Sequence, residues 1–367
     1  MSWKLRYKDK YEPIEQGASL SFGSAVDEGV MTMLKGDPNY MKVFQDRWHT
    51  SINMFGKATL IFDNPDIVYS YADFDRYILK PEDETLLNDW INELGIIRDL
   101  IKEEVEQEDG TIKVDERIPT AFEVFSSVVK RKKNPYKKFT ATELVFFSRA
   151  SWLSLKRKGE ILLEAFKEQM LPKIKKVHAS QLKGEIVSDD KQDSITGALD
   201  FIVDLEGFDK PVIVDLKTAS QPYKQEQIDM TEQLTLYYAM KGKEYNTDLV
   251  GYMVLCKNIP KIKDAKCSKC GHARDGKHKK CNNLIDNKRC NGDWTEVIKP
   301  APEVQLMVQS KNQDDVNGLY MDYTNILAAM KQDMVYKNTD KCNNFYGSRC
   351  AFYDKCHNNS DKGLRKK

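Results

Sequence analysis

The sequence predicts an α/β fold, a mixed central sheet flanked by helices, and three observations lead there. Strand-length runs rich in Val, Ile and Leu cluster in the second half of the chain. Segments with helical spacing of apolar residues precede them and alternate with them. A polar, cysteine-bearing insert then interrupts the pattern late in the chain.

In chain order, GASLSFGSAVDEGVMTML reads as a turn and then a helix entered through Gly23 and Ser24, with Ala25, Val26, Val30, Met33 and Leu34 as its apolar stripe. From about 36 to 175, ETLLNDWINELGIIRDLIKEEVEQ and RASWLSLKRKGEILLEAFKEQMLPKIKK carry helical spacing of Leu, Ile and Trp. Between them lie an acidic turn around Glu106–Gly110 and the basic run Lys130–Lys133, either a solvated loop or a contact to a nucleic-acid backbone. From about 176 the pattern turns to strands: ITGALDFIVDLEG and PVIVDLKTAS, separated by the turn-forming EGFDKP. A helix over roughly Gln225 to Met240, the strand LVGYMVLCK, the insert from about 261 to 293, the strand EVQLMVQS and the helix DDVNGLYMDYTNILAAMKQDM complete the order. The tail ends basic, with no internal repeat anywhere.

At 367 residues with 41% hydrophobic and 10% aromatic content, the chain suits one large core or two modest ones. Lys+Arg at 57 and Asp+Glu at 56 nearly cancel, so any polyanionic partner must be met by a local basic surface. MSWKLRYKDKYEP lacks the apolar stretch of a signal peptide, and no apolar run approaches the roughly 18 residues of a membrane span. The expectation is a soluble, cytoplasmic protein with no membrane partner.

The chemistry concentrates in GALDFIVDLEGFDKPVIVDLKT. Residues two apart on a strand share a face, so Asp215 and Lys217 line one side of a cleft while Leu216 points to the core. Asp200 arrives on the adjacent strand. Two facing carboxylates repel and call for a cation. Hard oxygen donors suit Mg²⁺ or Mn²⁺, which binds phosphate oxygen and acidifies water. Lys217 beside the ion orients or helps deprotonate that water and stabilises charge on a phosphate. Such a constellation cuts a phosphodiester.

These residues also resemble the RecB-like branch of the PD-(D/E)XK nucleases. Gly197-Ala-Leu-Asp200 matches the family's Gly-x-x-Asp, Asp215-Leu-Lys217 its (Asp/Glu)-x-Lys, and Gln233-Leu-Thr-Leu-Tyr237 its Gln-x-x-x-Tyr helix. The resemblance covers residues 17 to 35 and about 160 to 356. It implies a restriction-endonuclease-like sheet, with Gln233 and Tyr237 orienting the site near the scissile phosphate and the Leu216 carbonyl adding a metal ligand. The family's upstream helix usually supplies a metal-binding His; here Gly23-Ser-Ala-Val-Asp27 puts Asp27 in its place, followed by Glu28. Asp27 is the favoured ligand, with Glu28 or a solvent-facing acid in a first helical turn as alternatives.

The late insert offers Cys267, Cys270, Cys281 and Cys290, a Cys-x-x-Cys-Gly knuckle followed by two further thiols. That pattern suits a tetrahedral structural Zn²⁺, with His272 and His278 as substitutes, and four protein ligands leave no open catalytic position. Too few apolar residues surround it to fold it without metal. Lys277, Lys279, Lys280, Lys288 and Arg289 make it either a nucleic-acid contact or a solvated ribbon. The tail's Cys342, Cys350 and Cys356 resemble the carboxy-terminal group of relatives carrying a [4Fe–4S] cluster, whose fourth cysteine lies before the first helix; this chain has none before Cys256. Zinc or iron completed by His357, or packing without metal, are the alternatives. Cys256, inside an apolar strand, reads as a buried hydrophobe.

The expected organisation is a first catalytic helix over 1–35, a mostly helical insertion over 36–160, the catalytic strands over 161–260, a zinc ribbon over 261–295 and completion of the core with the cysteine tail over 296–367. The expected activity is a Mg²⁺- or Mn²⁺-dependent DNA exonuclease of recombination, repair or phage DNA processing. A structure-specific endonuclease, a CRISPR-associated trimming nuclease and a non-catalytic zinc-containing DNA-binding scaffold are the rivals. No Gly-x-x-x-x-Gly-Lys-(Ser/Thr) loop is present, so DNA with free ends, single strands or a helicase or recombination partner is implied.

Overall fold

The computed structural model describes residues 10–13, 18–50, 79–106, 112–132, 140–187, 194–229, 231–273, 280–285, 288–332, 334, 350, 352–361 and 364–366. Its elements begin with β1 (Tyr11–Pro13), α1 (Ala18–Leu34), α2 (Tyr40–Thr50), α3 (Asp83–Glu93), β2 (Ile101–Glu106), β3 (Ile112–Arg117), α4 (Ala121–Lys132) and α5 (Ala141–Gln169). The sheet region follows with β4 (Ile174–Val187), β5 (Ser194–Leu205), β6 (Val212–Ala219), α6 (Gln225–Asp229), α7 (Glu232–Lys241) and β7 (Leu249–Cys256). Last come β8 (Lys261–Cys267), β9 (Leu284–Ile285), β10 (Lys288–Arg289), β11 (Trp294–Pro300), β12 (Val304–Ser310), α8 (Gln313–Lys331), α9 (Tyr353–Asn358) and β13 (Leu364–Lys366).

Five strands form the central sheet in the order β12-β7-β6-β5-β4. Only β6 and β7 run parallel, and the others pair antiparallel. Parallel neighbours need a crossover, and α6 and α7 provide it. Strand alternation gives the sheet two apolar faces. Phe201, Val203, Val214, Met253 and Leu255 pack with Phe22, Val26, Leu162 and Phe166 of α1 and α5. On the opposite face Ile202, Ile213, Val250 and Val254 pack with Leu234 and Tyr237 of α7. The expected mixed sheet flanked by helices is therefore present.

Three local readings need correction. ETLLNDWINELGIIRDLIKEEVEQ is not one helix: α3 stops at Glu93, Gly95 adopts φ +61°, and Ile101–Glu106 becomes a strand paired with β3. Glycine tolerates that left-handed backbone, and an alternating tail then pairs more readily than it coils. The helix expected over Gln225–Met240 is two helices, because Thr231 is extended and starts α7 afresh. Gly23 and Ser24 lie inside α1, which already begins at Ala18. Asp27 thus sits mid-helix, where a helix dipole gives an acid no support.

The region between α2 and α5 is anchored by charge as well as by core. Arg157 of α5 lies 2.6 Å from Asp83, which is 3% exposed, and 2.9 Å from Glu160. Of the basic run, Lys130–Lys132 end α4, their side chains lie outside the described residues, and Lys133 lies outside them altogether. The acidic turn from 107 to 110 is likewise outside them.

Candidate active site and metal centre

The cleft exists because two strands part. β5 and β6 pair through Phe201↔Val214, Ile202↔Ile213 and Val203↔Val212, and there the ladder ends. Just beyond it stand Asp200 and Asp215. The Leu216 N–H donates to Asp200 Oδ2 at 2.6 Å instead of to a neighbouring strand carbonyl. A cleft of about 380 Å³ opens at this split. Asp27, Asp200, Asp215, Leu216, Lys217, Gln233 and Tyr237 all line it. Every carboxylate-site residue expected from sequence is thus brought to one surface, apart from Glu28, which pairs with Arg47 at 3.2 Å. Gly23 permits this approach of α1: a Cβ there would lie 3.3 Å from Thr218 Oγ1 on β6.

Asp215 is 2% exposed and is held from three sides. Lys217 Nζ lies 2.6 Å from its Oδ2. Gln233 Nε2 and Tyr237 OH donate to its Oδ1 at 3.0 and 3.3 Å. Gln233 also accepts from Lys217 Nζ at 3.1 Å and donates to Tyr237 OH at 2.6 Å. One helix-borne amide therefore fixes acid, lysine and phenol together, which the four-residue spacing of Gln233 and Tyr237 allows.

The electrostatics are those of crowded buried acids. Burial, then the charge of Asp215, pushes Asp200 up to about 7, although the Leu216 N–H works against the rise. Burial, then Glu28 and Asp215, pushes Asp27 up to about 6. Burial also raises Asp215, against the pull of Lys217. For Lys217, burial favours the neutral amine, but Asp215 outweighs it and keeps the ammonium above its ordinary value. Among the described residues, Asp27 Oδ1 is a buried oxygen with no hydrogen-bond partner, while the equally buried Asp215 Oδ2 has the Lys217 ammonium at 2.6 Å. Three crowded carboxylates lining one cleft, one of them with an orphaned buried oxygen, fit a hard divalent cation, which would relieve both repulsion and desolvation.

Three contributors escaped the sequence reading. Gln181 of β4 stands opposite Asp200 in the register Ser180↔Phe201, Leu182↔Leu199. Its φ is +53°, a left-handed conformation unusual for glutamine, and its side chain hydrogen-bonds Asp27, pulling that pKa back down. No sequence pattern announces a positive φ outside Gly, Asn and Asp. Tyr252, paired with Asp215 across the parallel ladder, places its ring 5.7 Å from Lys217 Nζ. Its polar tip in an otherwise apolar strand was the available signal. Gly292 is the third and belongs to the cysteine module.

A family model for the PD-(D/E)XK nuclease superfamily matches residues 84–357. The chain belongs to that superfamily. The nuclease match includes Asp200, Asp215, Lys217, Gln233 and Tyr237 but starts beyond α1, so Asp27 joins the site on geometry alone. No curated protein matches the chain. Nucleases of this superfamily use divalent metals, in keeping with the donor set of the cleft. No described helix is long and apolar enough to cross a membrane.

The nuclease carries a second metal-ready group. The Sγ atoms of Cys267, Cys270, Cys281 and Cys290 all lie within 4.8 Å of one another; among the described residues no other three metal donors gather so tightly. Cys267 and Cys290 are 3.5 Å apart and Cys270 and Cys281 3.6 Å, far too long for disulfides. A tetrahedral ion with bonds of about 2.3 Å sets sulfurs about 3.8 Å apart, so the group fits zinc. β8 and β11 pair from Cys267↔Trp294 to Lys261↔Pro300 and carry the group at their end. Cys267 accepts from Lys269 N at 3.4 Å, and Gly271 with φ +68° closes the knuckle. Burial opposes ionisation of Cys267, but the N–H groups of Cys270 and Lys269 outweigh it and pull the thiol down to about 6. Cys281, buried and beside Cys267, is pushed up to about 12. A Cβ on Gly292 would lie 2.5 Å from Cys267 Sγ, so only glycine fits there. His272 lends the knuckle its carbonyl, accepting from Cys267 N at 2.9 Å, and its ring is not among the gathered donors. His278, Lys277 and Lys279 lie outside the described residues.

The tail cysteines form no such centre among the described residues. Cys350 and Cys356 pack with Phe352, Leu364 and Tyr11, because β1 pairs with β13. The chain before α1 does meet the tail, but it brings a tyrosine. His357 stacks on Tyr353 with ring centroids 4.4 Å apart, and Cys342 lies outside the described residues. Cys256 is buried, 1% exposed, as expected of a hydrophobe.

Proposed function

We propose that this chain is a Mg²⁺- or Mn²⁺-dependent deoxyribonuclease of the RecB-like branch, acting as an exonuclease in DNA recombination, repair or phage DNA processing in the cytoplasm. The observation that carries the reading is the split between β5 and β6, where Asp200 and Asp215 face one cleft with Lys217, Gln233, Tyr237 and Asp27. Asp200, Asp215, Asp27 and the Leu216 carbonyl are the groups that would hold the divalent ion. When bound, that ion supplies charge to the scissile phosphate and acidifies an attacking water.

The chain's own residues do the positioning. Lys217, kept protonated by Asp215, presents an ammonium to charge developing on the phosphate. Gln233 ties that ammonium to Asp215 and Tyr237, so the three move as one unit. Tyr237, whose hydroxyl is held protonated by burial and by Asp215, remains a donor. With no nucleotide-hydrolysing loop in the sequence, the substrate is DNA with a free end or single strands, opened where needed by a helicase or recombination partner. In this reading the four cysteines hold a structural zinc.

The test is cleavage of end-labelled linear and covalently closed circular DNA, single- and double-stranded, with Mg²⁺ or Mn²⁺. Degradation of linear DNA, survival of circles and an inactive Asp215→Ala variant are expected. Cutting of circles transfers the same centre to an endonuclease. Equal inertness of parent and variant with every metal and substrate sinks the nuclease reading in favour of a DNA-binding scaffold.

A further inference from the structure

The cysteine module carries two features that metal binding does not use. From Cys267 to Cys290 the sequence holds seven Lys or Arg against two Asp, a net of +5 in a chain of net +1. A Zn²⁺ with four thiolates contributes −2 and leaves it clearly basic. The second feature is the β9–β10 hairpin, in which Leu284 and Ile285 are 63% and 44% exposed. They pair in register with exposed Arg289 and Lys288. An aliphatic pair set directly against two cations is poor design for a solvated loop and good design for a surface that meets a polyanion with an apolar face.

Topology aims this surface. β6 and β7 run parallel, with Lys217↔Val254 and Ala219↔Cys256, so their carboxyl ends share the side on which the cleft opens. β8 starts at Lys261, a few residues beyond that end, and the module sits at its far end. Seven residues of strand span roughly 20 Å. The hairpin thus belongs to an arm that leaves the sheet beside the catalytic strands.

Resting on the nuclease reading above, we infer that the cysteine module is a second nucleic-acid contact, a basic arm whose Lys288 and Arg289 grip phosphates while Leu284 and Ile285 abut the terminal base pair of a duplex end. Aliphatic side chains of this kind unstack bases when neighbouring cations hold the backbone. The occupant is nucleic acid rather than protein because the net +5 charge of the module opposes that of phosphate and is set beside an exposed aliphatic pair.

The test uses the full-length, zinc-replete chain without added Mg²⁺ or Mn²⁺, and follows binding of blunt duplex and single-stranded DNA by fluorescence anisotropy over a range of salt. Lys288→Gln with Arg289→Gln is expected to weaken binding to both and to reduce the salt slope on the duplex by about 1.8. Leu284→Ser with Ile285→Ser is expected to weaken duplex-end binding several-fold, leaving the slope and single-strand affinity unchanged. Zinc content equal to that of the parent shows that the module is intact in each variant. Both double variants binding like the parent overturns the inference while leaving the nuclease reading standing; a parent that binds no DNA removes both.

Discussion

The carboxylate cleft and the cysteine module solve the same electrostatic problem by opposite means. Each gathers groups that repel once ionised. In the cleft, Asp27, Asp200 and Asp215 are forced together by apolar packing: Phe201, Val214 and Val26 are fully buried on the elements that carry them. In the module the four sulfurs are gathered more tightly, yet the buried apolar neighbours are few, chiefly Ala265 and the cysteines themselves. In the proposed reading the first site holds its repulsion in an apolar frame that folds without an ion, whereas the second needs an ion to fold. A metal would then be a reagent in one place and a core in the other.

Substitutions that separate activity from stability sharpen this contrast. The largest effect is expected at Lys217→Ala, a loss of cleavage on the order of 10³-fold with the melting temperature nearly unmoved, read by single-turnover kinetics beside calorimetry. A comparable loss of stability there would mean that the cleft, like the module, is held by its charges. Next is Cys281→Ser. It should abolish stoichiometric zinc by elemental analysis and expose residues 267–290 to limited proteolysis, while the main unfolding transition shifts by only a few degrees. Collapse of the whole protein would instead make the module part of the core.

Smaller effects probe how the cleft is tuned. Gln181→Gly removes the amide that reaches Asp27 but relieves a left-handed backbone, so Mn²⁺ affinity by titration calorimetry should fall about tenfold with stability equal or higher. Unchanged affinity would leave Gln181 a structural oddity. The subtlest is Asp200→Asn without added divalent ions. The folded carboxyl titrates near 7 and the unfolded one near 3.8. Below 3.8 both states are protonated and the contribution to stability is fully present. As pH rises to 7, only the unfolded state releases its proton, and stability is lost. The variant, which cannot ionise, should therefore melt alongside the parent at pH 4 and several degrees above it at pH 8.

Much of this was legible in one dimension. Asp215 and Lys217 share a face because strands alternate, Gln233 and Tyr237 because helices repeat near four, and the cysteine spacing implies a knuckle before any coordinate is known. Local rules failed where a single backbone conformation overrode a pattern: Gly95 ended a helix that apolar spacing would have continued, and Thr231 divided another.

By itself, then, the sequence determined which side chains were available and which short-range pairs would face the same way, since those follow from the geometry of one strand or one helix. Tertiary structure alone decided that β5 and β6 part just beyond Val214, that Asp27 rather than Glu28 enters the gap, and that Gln181 bends to meet it. Those outcomes depend on packing between residues more than 150 positions apart, such as Asp27 and Asp215, and no local periodicity encodes such a contact.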